Sequence, residues 1–145
     1  MLRWREIATE ALHGFSMDKG SILLIEDDAA ICDAMSDLLS SEGYEVHCAM
    51  DGQKALDWLR ATLRLPHLIL LDLMMPVLDG VQFRLRQTAE ERLSGIPVIV
   101  ISADTRGAEK SSCMGAQGYL RKPLEVDDLL DAVEHWTGGD SRLSP

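Results

Sequence analysis

The sequence has little of what a nucleic-acid-binding or membrane-spanning protein requires. Its 14 Lys and Arg residues are outnumbered by 24 Asp and Glu residues, so the net charge is −10 and no basic stripe is available for a polynucleotide. Its longest apolar runs have the length of a strand, far short of the roughly 20 residues that span a bilayer. We therefore predict no nucleic-acid partner for this chain, no membrane association and a cytoplasmic location.

Cysteine is also scarce, with Cys32, Cys48 and Cys113 only. An odd number without metal-type spacing predicts reduced thiols and excludes a disulfide framework or a cysteine-based zinc site. The alternation of apolar and charged residues in the first twelve positions is unlike a signal peptide.

The 145 residues suffice for one domain with a proper core. Residues 1–16 approximate a helical stripe and are predicted to be an N-terminal helical extension or a linker. Residues 20–137 are predicted to form the main domain, and residues 138–145 a polar tail.

Within the main domain, hydrophobic patterning predicts five strands that alternate with five helices. The strand signals lie at residues 21–25, 44–48, 68–71, 98–101 and 117–120. Asp28, Asp51 and Asp79 stand where three of the helices begin, as capping residues do. Crossovers this regular predict a doubly wound parallel sheet with helices on both faces.

Three helix faces follow from the same patterning. The inner face of the second helix is predicted to be Ala55, Leu56, Leu59 and Leu63. The third is predicted to bury Val81, Leu85 and Ala89, with Phe83 to one side. The fourth is predicted to be short or partly frayed, because Gly107 and adjacent serines weaken it and only Ala108, Cys113 and Met114 offer apolar surface.

Polar residues stand at the carboxyl ends of four of the five strands. They are Glu26 and Asp27 after the first, Asp72 after the third, Ser102 after the fourth and Lys122 after the fifth. Strand ends of a doubly wound sheet share one edge, so these side chains are expected to converge.

The convergence predicts a magnesium-dependent phosphoryl acceptor. Clustered carboxylates repel one another, and a few oxygen ligands suit Mg²⁺. A carboxylate such as Asp72 can form an aspartyl phosphate. The Lys122 ammonium would offset charge on the phosphoryl oxygens, and the Ser102 hydroxyl would bond one of them.

Four motifs in order make the chain similar to a response-regulator receiver domain over about residues 20–137. They are Leu-Ile-Glu-Asp-Asp, Leu-Leu-Asp-Leu-Met-Met-Pro followed by Asp-Gly, Ile-Ser-Ala, and Gly-Tyr-Leu-Arg-Lys-Pro. The resemblance implies a flavodoxin-like fold, strand order 2-1-3-4-5, and a cis peptide bond before Pro123. It implies Asp72 as the phosphoacceptor and Lys122 as the site lysine.

The resemblance also implies the remaining roles. The metal ligands would be Glu26, Asp27, Asp72 and the backbone carbonyl of Met74. Ser102 would be the switch hydroxyl and Tyr119 the switch aromatic, although a plain packing role for Tyr119 stays equally open. The phosphoryl donor would be a histidine kinase or histidine phosphotransfer protein, and an unknown downstream protein would read the result. The chain would be a signalling protein and not an enzyme, with at most self-phosphorylation from small donors and slow self-dephosphorylation.

The chain departs from the family between Ser102 and Lys122, where 122 − 102 = 20 positions are about two fewer than usual. With its weak fourth helix, this makes a dimer through the fourth-helix face doubtful. Two alternative functions are an aspartate-nucleophile phosphatase, which needs an acid where Met74 stands, and a receiver-like interaction domain that takes no phosphate. Whether the chain stands alone or is excised from a hybrid kinase stays open.

Overall fold

A computed structural model describes residues 19–138, which contain a five-stranded parallel sheet of order β2-β1-β3-β4-β5. The strands are β1 (Gly20–Ile25), β2 (Tyr44–Ala49), β3 (Leu68–Asp72), β4 (Val98–Ser102) and β5 (Gly118–Arg121). Helices cover both faces, so the predicted fold class and strand order are confirmed. Residues 1–16 and most of the predicted tail lie outside the described residues.

Residues 19–138 contain six helices, five between strands and one after the last strand. They are α1 (Ala29–Ser41), α2 (Gly52–Ala61), α3 (Gly80–Ala89), α4 (Glu91–Ser94), α5 (Gly107–Cys113) and α6 (Val126–Thr137). The single turn of α4 was not predicted, so the fourth helix of the sequence pattern is α5. Asp28, Asp51 and Asp79 each accept a hydrogen bond from a backbone N–H of the first turn, which confirms them as caps.

The core consists of two layers, one on each face of the sheet. Successive residues of a strand point to opposite faces, so Leu23 and Ile25 pack with α2 and α3 while Ile22 and Leu24 pack with α1 and α6. Strand β3 is buried along its whole length, because helices lie above and below it. This burial fixes where its last residue, Asp72, must stand.

The predicted inner face of α3 is wrong. Phe83 is fully buried together with Arg84 and Gln87, whereas Val81 and Leu85 are exposed. The large Phe83 ring takes the core position, and the helical repeat then turns residues 84 and 87 inward with it. The two polar side chains tolerate burial because they are hydrogen-bonded to each other and to backbone carbonyls.

One further prediction of a buried residue is wrong, whereas the expectation that α5 buries little apolar surface agrees with the structure. Leu63 lies beyond the end of α2 and is 97% exposed. Ala108 and Cys113 are exposed on α5, whose buried positions are Gly107 and Ser111. The prediction that this helix is short is confirmed, since it has seven residues. None of the helices in residues 19–138 has the length and hydrophobicity that crossing a membrane requires.

Candidate phosphoryl-acceptor site

The ends of β1 and β3 bring two carboxylates side by side. Ile25 pairs with Leu71 in the register, so the residues that follow, Glu26 and Asp72, stand at the same level of the sheet. Both are buried, with 3% and 6% exposure, whereas Asp27 faces solvent. Oxygen atoms of these three carboxylates lie within 4.8 Å of one another.

Lys122 supplies a positive charge to this cluster. Its Nζ donates to Glu26 Oε1 at 2.9 Å and lies 3.5 Å from Asp72 Oδ2. Burial lowers the pKa of Lys122, but the hydrogen bond to Glu26 and the charge of Asp72 outweigh that effect and raise it above its ordinary value. Lys122 is therefore a fixed ammonium group beside Asp72. The peptide bond between Lys122 and Pro123 is cis, as the resemblance implied.

Backbone groups hold the carboxylates in place. The N–H of Met74 donates to Asp72 Oδ1 at 3.1 Å, and the N–H of Asp28 donates to Glu26 Oε2 at 3.3 Å. The turn after β3 also needs glycine at position 80, because a Cβ there would lie 2.8 Å from the Asp72 carbonyl oxygen. The local sequence thus fixes the orientation of the acids as well as their position.

The donor set fits Mg²⁺. It offers only oxygen atoms, it has three carboxylates against one ammonium, and Asp27 leaves one side open to water. A cavity of about 460 Å³ adjoins Asp27 and Met74 at this side. Magnesium keeps several waters when bound, so a partly open site of a few carboxylates suits it.

Ser102 and Tyr119 are linked to the α5 side of the site. Ser102 is fully buried at the end of β4, and its Oγ accepts from the N–H of Asp104 at 3.0 Å. The Tyr119 hydroxyl donates to the backbone oxygen of Ser102 at 3.4 Å. A Cβ on Gly107 would lie 2.6 Å from that hydroxyl oxygen, so the first residue of α5 packs directly against the tyrosine.

Asp104 and Lys110 form an ion pair near the site that the sequence pattern did not predict. Lys110 Nζ donates to Asp104 Oδ2 at 2.6 Å, and the N–H of Arg106 donates to Asp104 Oδ1 at 2.8 Å. These hydrogen bonds, that of Lys110 first, lower the pKa of Asp104. The available signal was an Asp three positions before a helix, which is typical of a turn. Nothing in the sequence indicated that Lys110, six positions later, would pair with Asp104.

Comparison with known proteins agrees with this geometry. Residues 22–134 match the model of the response regulator receiver domain family. The receiver domain of the sensor histidine kinase PA1611 from Pseudomonas aeruginosa, solved with magnesium coordinated in its active-site cleft, superposes with a TM-score of 0.75 at 29% identity over 83% of this chain and 98% of that one. A receiver domain of a histidine kinase from Syntrophus aciditrophicus gives 0.76 at 29% identity over 85% of this chain and 93% of that one.

Among curated relatives, the regulator RpaA of Synechocystis, described as a DNA-binding dual master transcriptional regulator, is 40% identical over 114 residues, or 77% of this chain. The response regulator MprA of Mycolicibacterium vanbaalenii is 35% identical over 113 residues, or 75% of this chain. The match covers 46% of each relative, so the chain spans about half the length of the curated proteins it resembles. The family match over residues 22–134 and the sheet order are nevertheless sufficient for assignment: the chain belongs to the response regulator receiver domain family.

Proposed function

We propose that Asp72 accepts a phosphoryl group from a phosphohistidine of a histidine kinase or a histidine phosphotransfer protein. An Asp72 carboxylate oxygen attacks the phosphorus, the new P–O bond forms, and the P–N bond breaks with its electron pair returning to the imidazole. The reaction takes place in the cytoplasm, and an unknown downstream protein reads the product.

The observation that carries this proposal is the position of the Lys122 ammonium between two buried carboxylates. Lys122 contacts Asp72 and Glu26 together, so its charge faces the place where phosphoryl oxygens of an acylphosphate at Asp72 would lie. Glu26, Asp27, Asp72 and the backbone carbonyl of Met74 would hold Mg²⁺, which when bound neutralises charge on those oxygens.

Ser102 and Tyr119 are proposed to transmit the change. The Ser102 hydroxyl accepts a hydrogen bond from the N–H of Asp104. To donate to a phosphoryl oxygen, it would turn away from that N–H. That leaves the β4–α5 loop one hydrogen bond weaker. Tyr119 packs against Gly107 and would follow any resulting shift of α5.

The test is incubation with acetyl phosphate, with and without Mg²⁺, followed by intact-mass measurement. The wild-type chain should gain one phosphoryl group only when the metal is present, and Asp72→Asn should gain none. Asp79→Asn serves as a matched control at a nearby capping acid and should be labelled like the wild type. Equal labelling of the Asp72→Asn variant would reject the assignment.

The second candidate is a receiver-like interaction domain that takes no phosphate. The observation that favours it is the ion pair of Lys122 with Glu26. A lysine held by Glu26 is less available to contact a phosphoryl group. The same mass measurement separates the two, because an interaction domain would stay unlabelled at saturating donor and metal.

A further inference from the structure

Two of the three cysteines lie against each other between α1 and β2. Cys32 is on α1 and buried, whereas Cys48 is on β2 and half-buried, and both thiols are free in this structure. The Cys48 sulfur lies 4.0 Å from the backbone oxygen of Cys32 and 2.9 Å from the hydroxyl oxygen of Ser36. Cys32 and Ser36 are four residues apart and so share one side of α1. Cys48 therefore packs against that side of the helix.

The side chains of the two cysteines also contact each other. Burial, and after it the neighbouring Cys48 thiol through its charge and a side-chain hydrogen bond, raise the pKa of Cys32 to about 12. A disulfide forms without movement of the backbone only where two cysteine side chains already face each other at short range. Cys32 and Cys48 meet that requirement, on two elements that pack directly together.

Solvent reaches one sulfur of the pair more easily than the other. Cys48 lies on β2, an edge strand of the sheet, beside the half-buried Ser36. Cys32 belongs to the hydrophobic core and is 3% exposed. A dissolved oxidant reacts first at an accessible sulfur, and a second cysteine in contact with it then resolves the product into a disulfide. Exposure thus assigns the first role to Cys48 and the second to Cys32.

We propose that Cys32 and Cys48 form a reversible disulfide when the chain meets hydrogen peroxide. The Cys48 sulfur attacks one peroxide oxygen, an S–O bond forms, the O–O bond breaks, and the other oxygen leaves as water with the Cys48 proton. The Cys32 sulfur then attacks the Cys48 sulfur, the S–S bond forms, the S–O bond breaks, and the hydroxyl leaves as water with the Cys32 proton. The two thiols together lose two electrons, and the peroxide is reduced to water.

The disulfide acts on the acid site through the backbone of Glu26. The Cys32 thiol donates to the Glu26 backbone oxygen at 3.2 Å, and a disulfide has no proton to donate. The N–H of Glu26 donates to the carbonyl of Ala49, the residue after Cys48. Oxidation therefore disturbs the loop that carries the carboxylates of Glu26 and Asp27. The oxidised chain holds Mg²⁺ more weakly, an effect that rests on the proposed function, whereas the disulfide itself does not.

The disulfide is tested by treating the full chain with hydrogen peroxide and digesting it without reduction. Mass spectrometry should find one cross-linked pair of peptides, containing Cys32 and Cys48, and the intact chain should be lighter by two hydrogens. Dithiothreitol should reverse both changes. Cys113→Ser is the matched control at the exposed cysteine of α5, and its pair should cross-link as in the wild type.

Two variants test the roles of the two sulfurs. Cys48→Ser should leave Cys32 as a thiol, because the accessible sulfur is gone. Cys32→Ala should leave Cys48 as a sulfenic or sulfinic acid, because the second sulfur is gone. Oxidation of Cys113 in the wild type while Cys32 and Cys48 both stay thiols would overturn the proposal. So would a wild-type chain in which Cys48 becomes a sulfinic acid and no cross-link forms.

Titration with Mg²⁺ tests the coupling to the acid site. Amide shifts of residues 26–28 and 72–74 are followed by NMR in the reduced and the oxidised chain. The oxidised chain should bind Mg²⁺ at least about threefold more weakly, and peroxide-treated Cys48→Ser should bind like the reduced wild type. Equal affinities would reject the coupling and leave the disulfide standing. No binding by the reduced chain would reject the metal site of the proposed function and the coupling with it, while the cross-link alone decides the disulfide.

Discussion

The acid site and helix α5 lie at neighbouring strand ends, but different forces hold them. Asp72 ends a strand whose five residues are all buried, and β4 beside it is equally buried. Helix α5 buries no large apolar side chain of its own and is held in part by polar contacts. Arg84 donates to the carbonyls of Met114 and Gly115 at its carboxyl end. At the other end, Lys110 pairs with Asp104.

The difference indicates which part moves. A buried Leu or Ile side chain contributes roughly 1.5–3 kcal/mol through burial, whereas one hydrogen bond contributes about 1 kcal/mol net. The seven residues of α5 are too few for a helix that is stable alone. We therefore expect a change at Asp72 to alter α5 while the sheet stays in place. Four substitutions test this contrast, from the largest expected effect to the smallest.

Leu71→Ala should have the largest effect. Leu71 is fully buried and precedes Asp72, so truncation to Ala leaves a cavity in the hydrophobic core directly beside the site. We expect a loss of about 3 kcal/mol in the free energy of unfolding, measured by urea denaturation. Leu85→Ala, at a residue 65% exposed, is the control and should change stability by less than about 0.5 kcal/mol. Similar losses in both variants would contradict the burial of β3 as the source of the site's rigidity.

Arg84→Met should release α5. The substitution removes the donors to the Met114 and Gly115 carbonyls and leaves Gln87 Oε1 without its partner. Unsatisfied buried groups of this kind cost about 1–3 kcal/mol. Hydrogen exchange should speed up at residues 107–115 more than in the sheet. The neighbouring Arg86→Met, at an exposed position of the same helix, should leave both measurements unchanged.

Asp27→Asn should raise stability slightly when no metal is present. Three carboxylates face a single ammonium, so removing one charge relieves repulsion between Asp27 and its two buried neighbours. Because Asp27 is exposed, we expect a gain below about 1 kcal/mol. Added Mg²⁺ should stabilise the wild type more than the variant. Asp37→Asn, at an exposed acid of α1, is the control; a metal-free loss of stability specific to Asp27→Asn would reject the repulsion.

The sequence was sufficient to predict the sheet and most of the acid site. Apolar runs that end in acids predict buried strands with their carboxyl ends at one edge, and this placed Glu26 and Asp72 side by side. Lys122 was placed with them because it follows the last strand of the same predicted sheet. Capping aspartates such as Asp79 are local signals, and the structure confirms them. These features depend on neighbours in the chain or on simple periodicity.

The α3–α5 side could not be predicted in the same way. The rotation of α3 about its axis depends on which residue best fills the space above β3 and β4. Phe83 fills it, and Val81 and Leu85 do not, which the spacing of apolar residues in the sequence does not reveal. The burial of Arg84 depends on carbonyl groups thirty positions away. That α5 is partly frayed stays a prediction.

Asp104→Asn should have the smallest effect and should act at the amino end of α5. The hydrogen bond from Lys110 lowers the pKa of Asp104 below its ordinary value of 3.8, so the native state favours the carboxylate. A lowered pKa contributes stability that is fully present above the ordinary value and is lost as the pH falls through the native value. The asparagine variant lacks that contribution. At about pH 7 it should unfold at slightly lower urea concentration and exchange the amides of Gly107–Cys113 faster.

The deficit of Asp104→Asn relative to the wild type should be constant down to about pH 4 and shrink only below that value, because the wild-type carboxylate then takes up a proton. Glu109→Gln is the matched control, since its pair with Arg106 has both side chains more than 60% exposed and contributes little. A double-mutant cycle with Lys110→Met separates the ion pair from the turn that Asp104 also caps through the N–H of Arg106. If the coupling between Asp104 and Lys110 is zero, the pair does not anchor α5, and the predicted effect of this ion pair on the helix is rejected.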